Sequence, residues 1–306
     1  MLIFATSDKG GTGRSVTSSN VAYRHALQGG DCCYLDFDFG SPTSGAIFDV
    51  PEAMSGVKDG GGLHEYLGGN VPRARRIDIW AESERDALRG RPAGAGRLTL
   101  FPGDNGRGEF PSDPAVVERC IDLLVRVDEE FDLGIIDLSA GRSYATQIVL
   151  AATASPALRH VRSRWLVFHR WTRQHIVAAG GLVNGSQGIL EAGVQLGHDR
   201  EELQGSIRFV RTAVLEPDAP EQAGLRPEQL TWLNECNKGL QALASRDKVG
   251  RTSMLGRIPL DPVLQWQEQL LTDDDVWLHR TANQRTVTAF EELAKKVVDE
   301  AAWIGL

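Results

Sequence analysis

A glycine-rich run that opens on a lysine, followed at intervals by three aspartates, holds the residues whose types and spacing can do chemistry. The run is Lys9-Gly10-Gly11-Thr12-Gly13-Arg14-Ser15. Glycines carry no Cβ, so successive backbone N–H groups can converge on one anion, and a helix starting just after them adds its partial positive charge. A serine in the first turn of such a helix is placed to ligate the Mg²⁺ that accompanies a nucleoside triphosphate. The plainer alternative is a glycine-rich turn with no ligand. The acids stand at the ends of apolar runs: Asp36 and Asp38 after Cys32-Cys33-Tyr34-Leu35, and Asp137 after Leu133-Gly134-Ile135-Ile136. An acid that closes a buried strand downstream of a phosphate loop can hold a water on Mg²⁺. It can also merely cap the next helix.

These residues need elements that bring them together. Leu2-Ile3-Phe4-Ala5 has strand length, and a helix-compatible stretch runs from Val16 to about Leu27, stopped by Gly29-Gly30. The run from Cys32 then gives strand, loop, helix, strand: a βαβ unit whose loop lies at the carboxyl end of its first strand, where open α/β sheets bind ligands. Val116, Val117, Cys120, Ile121, Leu124 and Val127 recur at helical spacing, predicting a helix over 114–131 with Asp113 as N-cap and Pro114 at its first position. Further strands are expected at 164–170 and 206–212, with a closing helix from Arg285 to Trp303.

Lys9–Ser15 resembles the deviant Walker A motif, K-G-G-x-x-K-[S/T], of the MinD/ParA family of P-loop ATPases. The resemblance extends to Asn20, to Asp36-Phe37-Asp38 with the following Phe39-Gly40, to Asp137-Leu138-Ser139-Ala140-Gly141, and to Ile258-Pro259-Leu260-Asp261. It spans nearly the whole chain. It implies an α/β three-layer sandwich around a mainly parallel twisted sheet, forming one domain over 1–306, with about 50–105 as a loop-rich insert over the site. It also implies ATP and Mg²⁺ as cofactors and a low-turnover ATPase. Gly10, Gly11, Thr12, Gly13, Arg14, Ser15 and Val16 would hold the phosphates, and Arg211, Thr212 and Pro259 would border the base. Ser15, Asp36 and Asp137 would serve the metal, and Asp38 would orient the attacking water. Lys9 would reach across an ATP-dependent homodimer to the partner's nucleotide. One position departs from the pattern: Arg14 stands where the family has its second lysine. Arginine keeps the charge but is longer and planar, so the exchange is not conservative at a tight phosphate site.

Composition narrows the rest. The balance of 33 basic and 41 acidic residues gives a net charge of −8, against a protein coated with positive potential. No apolar run reaches the roughly 18 residues of a membrane span. The N-terminus lacks the basic leader of a signal peptide, and the four cysteines show no metal or redox spacing, so a reducing cytoplasmic address is expected. Cys32 and Cys33 should point to opposite faces of their strand.

What such a protein would act on is less legible. Between Leu138 and Leu190 there is no acid, while Arg142, Arg159, Arg162, Arg164, Arg170 and Arg173 all fall inside, which offers a basic surface to nonspecific DNA. An unidentified protein partner is the other expectation. Membrane attachment is disfavoured, because the apolar Trp303, Ile304 and Leu306 sit beside Asp299 and Glu300. Three readings follow: an ATP-dependent dimerising switch, a nucleotide-binding regulator that scarcely hydrolyses because of Arg14, and a small-molecule ligase or kinase on the same fold.

Overall fold

Short apolar runs become central strands here because each is covered by helices on both faces, which is how parallel strands joined by crossover helices are buried. The computed structural model describes residues 1–214, 224–250 and 253–304. The strands are β1 (Leu2–Thr6), β2 (Cys32–Phe37), β3 (Ile77–Asp78), β4 (Leu98–Phe101), β5 (Leu133–Leu138), β6 (Ser163–Arg170), β7 (Ile207–Val214) and β8 (Met254–Pro259). They form one sheet in the order β3-β4-β2-β5-β1-β6-β7-β8. Every pairing is parallel except that of the short edge strand β3 with β4.

The register sets the site. Phe4 and Leu35 lie on either side of Ile136, and one step on, Ala5 and Asp36 lie on either side of Asp137. The carboxyl ends of β1, β2 and β5 therefore meet, and the loop after β1 opens between them at the centre of the sheet.

Alternation along the strands sends side chains into two cores. Phe4, Leu35, Ile136 and Trp165 face the helices Pro114–Glu130, Tyr144–Thr153 and Arg173–Asn184. Ile3, Tyr34, Ile135 and Leu166 face α1 (Arg14–Leu27) and the helix Gln284–Val298. Cys33 belongs to the first core and Cys32 to the second, and all four cysteines are free. The result is the expected three-layer sandwich.

Several local expectations shift. Helix α1 starts at Arg14, two residues before the apolar stretch, because left-handed Gly13 (φ 73°) ends the loop and acts as N-cap. That puts Ser15 in the first turn. The helix Pro114–Glu130 begins as its spacing predicts, with Asp113 accepting from the Val116 amide at 2.9 Å. The loop-rich segment 50–105 supplies β3 and β4, and β4 pairs in parallel with β2 toward the sheet edge. The closing helix ends at Val298, and a short turn at Ala301–Trp303 folds Trp303 back, its Nε1 donating to the Lys296 carbonyl at 3.1 Å. Packing thus accounts for Trp303. Leu306 lies outside the described residues. Among those described, no helix is long and apolar enough to cross a membrane.

Candidate functional site

The loop after β1 takes its shape from Gly11 (φ 70°) and Gly13 (φ 73°), both in the left-handed region that side chains disfavour. It is anchored on two sides. Gly141, following β5, donates its amide to the Ser7 carbonyl at 2.7 Å, and Thr212 on β7 donates its hydroxyl to the Thr12 carbonyl at 2.5 Å. Side chains added at Gly10 or Gly11 would meet nothing within 4 Å, so the loop borders open space of the kind a phosphate group needs.

A cavity of about 220 Å³ runs from this loop toward the end of β8. Gly11, Thr12, Gly13 and Val16 line one end, and Thr212 and Pro259 the other. Arg211, expected beside the base, does not reach it. Neighbouring strand residues point to opposite faces, and the Arg211 guanidinium instead lies 3.2 Å from the ring centre of Trp171. It lines a separate cavity of about 530 Å³ with Lys248 and Arg257.

The acids are arranged around Arg14. Its Nε donates to Asp137 Oδ1 at 2.5 Å, and its Nη2 donates to Asp38 Oδ2 at 2.8 Å and to Ser15 Oγ at 3.3 Å. Burial alone would lower the guanidinium's pKa, but the Asp137 and Asp38 carboxylates hold it above its ordinary value. Asp36 stands apart from this fork. Its Oδ2 accepts from the amide and hydroxyl of Ser44 at 3.0 and 2.6 Å, and its Oδ1 from the Asp38 amide at 3.2 Å. Burial, and then the Asp137 charge, push the Asp36 carboxyl up to about 7. Asp36 shapes the loop that carries Asp38.

These contacts bear on a divalent cation. Of the groups expected to serve Mg²⁺, Ser15 and Asp137 are bonded to the Arg14 side chain and Asp36 to Ser44 and the Asp38 amide, while Asp38, expected to orient water, completes the fork around Arg14. As arranged, the residues do not fit the metal.

Lys9 is half-buried, and its ammonium makes no hydrogen bond or ion pair among the described residues. The arginines expected to face DNA do not share a surface. Arg164 is buried, donating to the Val297 carbonyl and to Glu300, and Arg162 pairs with Glu300 at 2.6 Å. Arg159 and Arg162 precede β6 while Arg170 and Arg173 lie at its far end, about 25 Å away at the usual strand rise. A run that is acid-free in sequence is thus divided by the strand it contains.

Sequence reasoning gave no role to the residues that hold the cavity's outer wall. Asn20 Oδ1 accepts from the Leu271 amide at 2.8 Å, and its Nδ2 donates to the Gln269 carbonyl at 3.1 Å. Arg24 donates to the Leu271 carbonyl at 2.6 Å and to Asp273 at 2.7 Å. Asp261 accepts from the Asn283 amide at 2.9 Å. Asn20 and Asp261 carried a signal, through their places in the motif's helix and in Ile258–Asp261, but Asn20's partners lie far along the chain, at separations of 249 and 251.

No family model matches the chain, and no curated protein matches it. Solved structures do. The septum site-determining protein MinD from Pyrococcus horikoshii, complexed with Mg-ADP, matches at a TM-score of 0.53 and 15% identity over 98% of this chain and 96% of that one. The MinC:MinD cell division complex of Aquifex aeolicus matches at 0.58 and 15%, over 100% and 97%. A plasmid partition protein from Borrelia burgdorferi bound to AMPPNP matches at 0.59 and 13%, over 96% of each. The chain has the MinD/ParA-like fold.

Proposed function

We propose that this chain is a nucleotide-operated dimerising switch of low turnover. Phosphates would sit on the backbone amides of Gly10 to Ser15, and the base in the cavity beside Val16, Thr212 and Pro259. The observation that carries this reading is the loop's geometry. Two left-handed glycines precede a helix start where β1, β2 and β5 meet, and they open onto a cavity of about 220 Å³. Lys9, whose ammonium has no partner among the described residues, would neutralise phosphate charge on the second subunit's nucleotide. Asp38, the candidate for orienting water, is held by Arg14, which supports slow hydrolysis.

A protein partner fits better than DNA as the cargo, since the arginines divide between two ends of the molecule. A hollow lined by Lys9, Arg173, Gln174, Val177 and Ala178 borders the loop, but these residues offer no carboxylate or histidine to activate an acceptor for the ligase or kinase reading. The larger cavity, with Arg211, lies on the other side of β7 from Thr212.

Light scattering of wild type and Lys9→Ala, without nucleotide and with ADP or ATP, tests the switch, with phosphate release read on the same samples. Dimerisation of wild type alone in ATP is expected. An unchanged mass in every condition would remove the trans role of Lys9 and the switch with it.

A further inference from the structure

We infer that the Arg14 guanidinium is the built-in cation of this site, so that the polyphosphate of a nucleotide is bound without a divalent metal. The inference rests on the nucleotide reading above and concerns how that same site is charged.

Three contacts carry it. Arg14 touches Asp137 and Ser15, which would otherwise serve a metal, and Asp38, which would otherwise orient the attacking water. Its side chain is 7% exposed and that of Asp137 2%, so the pair is sealed, whereas Asp38 at 25% marks the open side. Each acid gives Arg14 one oxygen, and a dication brought to the other would sit against the buried guanidinium, whose like charge opposes it.

The geometry of the fork leaves a donor for the ligand. A guanidinium has five N–H donors in one plane. Nε and Nη2 serve the acids and Ser15, while Nη1 makes no hydrogen bond among the described residues and is not one of their buried unpartnered atoms. Nη1 therefore keeps unused N–H donors that a phosphate oxygen on the loop amides would take up. A lysine could not do this. Its ammonium is a single point charge, unable to bridge two carboxylates in a plane and still present a separate donor. Arg14 thus links the acids to the phosphates as a metal would, with one positive charge in place of two.

The test is a titration of the full chain with a fluorescent non-hydrolysable ATP analogue, in EDTA and in excess MgCl₂, for wild type and Arg14→Lys. Wild-type Kd should change by less than about threefold between the two, and Arg14→Lys should bind at least about tenfold tighter with Mg²⁺ than in EDTA. Wild-type binding about tenfold or more tighter with Mg²⁺ would overturn the inference and leave the nucleotide reading intact. Metal-independent binding by both proteins would overturn the assignment to Arg14. No binding by wild type in either buffer would overturn the nucleotide reading and this inference together. The wild-type comparison stands by itself if the variant does not fold.

Discussion

The hydroxyl of Thr212 on β7 donates to the Thr12 carbonyl at 2.5 Å, so a residue 200 positions downstream fixes the curvature of the phosphate loop. It also leaves the Thr212 side chain lining the cavity. Thr212→Val keeps the shape and removes the donor. The loop should loosen, and nucleotide binding should weaken by about tenfold, the equivalent of one lost hydrogen bond. Titration with the fluorescent analogue measures this, and circular dichroism should show the fold unchanged. An affinity equal to wild type would mean that the loop holds its shape without β7.

Asp36 predicts a pH dependence. Burial, and then Asp137, raise its carboxyl from 3.8 to about 7. Across that interval the folded protein keeps a proton that the unfolded chain has lost, so unfolding releases it. The stability involved is fully present below the unfolded pKa and is lost as pH rises through the folded one. Wild type should therefore lose stability relative to Asp36→Asn between about pH 4 and 7. Urea unfolding of both proteins across that range checks it, and parallel curves would rule out Asp36 as the titrating group.

Much of the fold could be read from the sequence because it depends on local pattern. The apolar runs became strands, the glycine loop fell at the end of β1, and Asp113 capped its helix as its position predicts. What escaped was set by tertiary partners. Arg14 reads as a phosphate ligand by motif, but β5 brings Asp137 to its Nε, a contact separated by 123 residues. Arg211 and Thr212 looked equivalent until the strand's alternation sent one to Trp171 and the other to the cavity. Segment 50–105 hid β4 because Leu98–Phe101 directly follows a run rich in glycine and arginine that reads as loop.

Asn20 should matter to stability more than its size suggests. It ties α1 to the Gln269–Leu271 segment through its amide, at a fully buried position. Asn20→Ala leaves the Leu271 amide without its acceptor, at a cost of about 1–3 kcal/mol. Asn20→Asp keeps an acceptor for Leu271 but places a carboxylate against the Val16 and Gln269 carbonyls, and should be no better. Urea denaturation of the three proteins gives the values; an Asn20→Ala loss below about 0.5 kcal/mol would show that the segment is held by Arg24 instead.

The Arg14 cluster makes an asymmetric prediction. Arg14→Met leaves Asp137 buried at 2% exposure with Asp36 beside it and no cation, and should cost about 3–5 kcal/mol. Asp137→Asn should cost less, because Arg14 keeps Asp38 and the charge that raises Asp36 is gone. Adding Asp137→Asn to Arg14→Met should then recover part of the loss, giving a coupling of about 1–3 kcal/mol in a double-mutant cycle. Urea unfolding with linear extrapolation supplies all four corners. Strict additivity would mean that the two side chains do not share a charge in solution, and the fork around Arg14 would not be the arrangement that holds these acids.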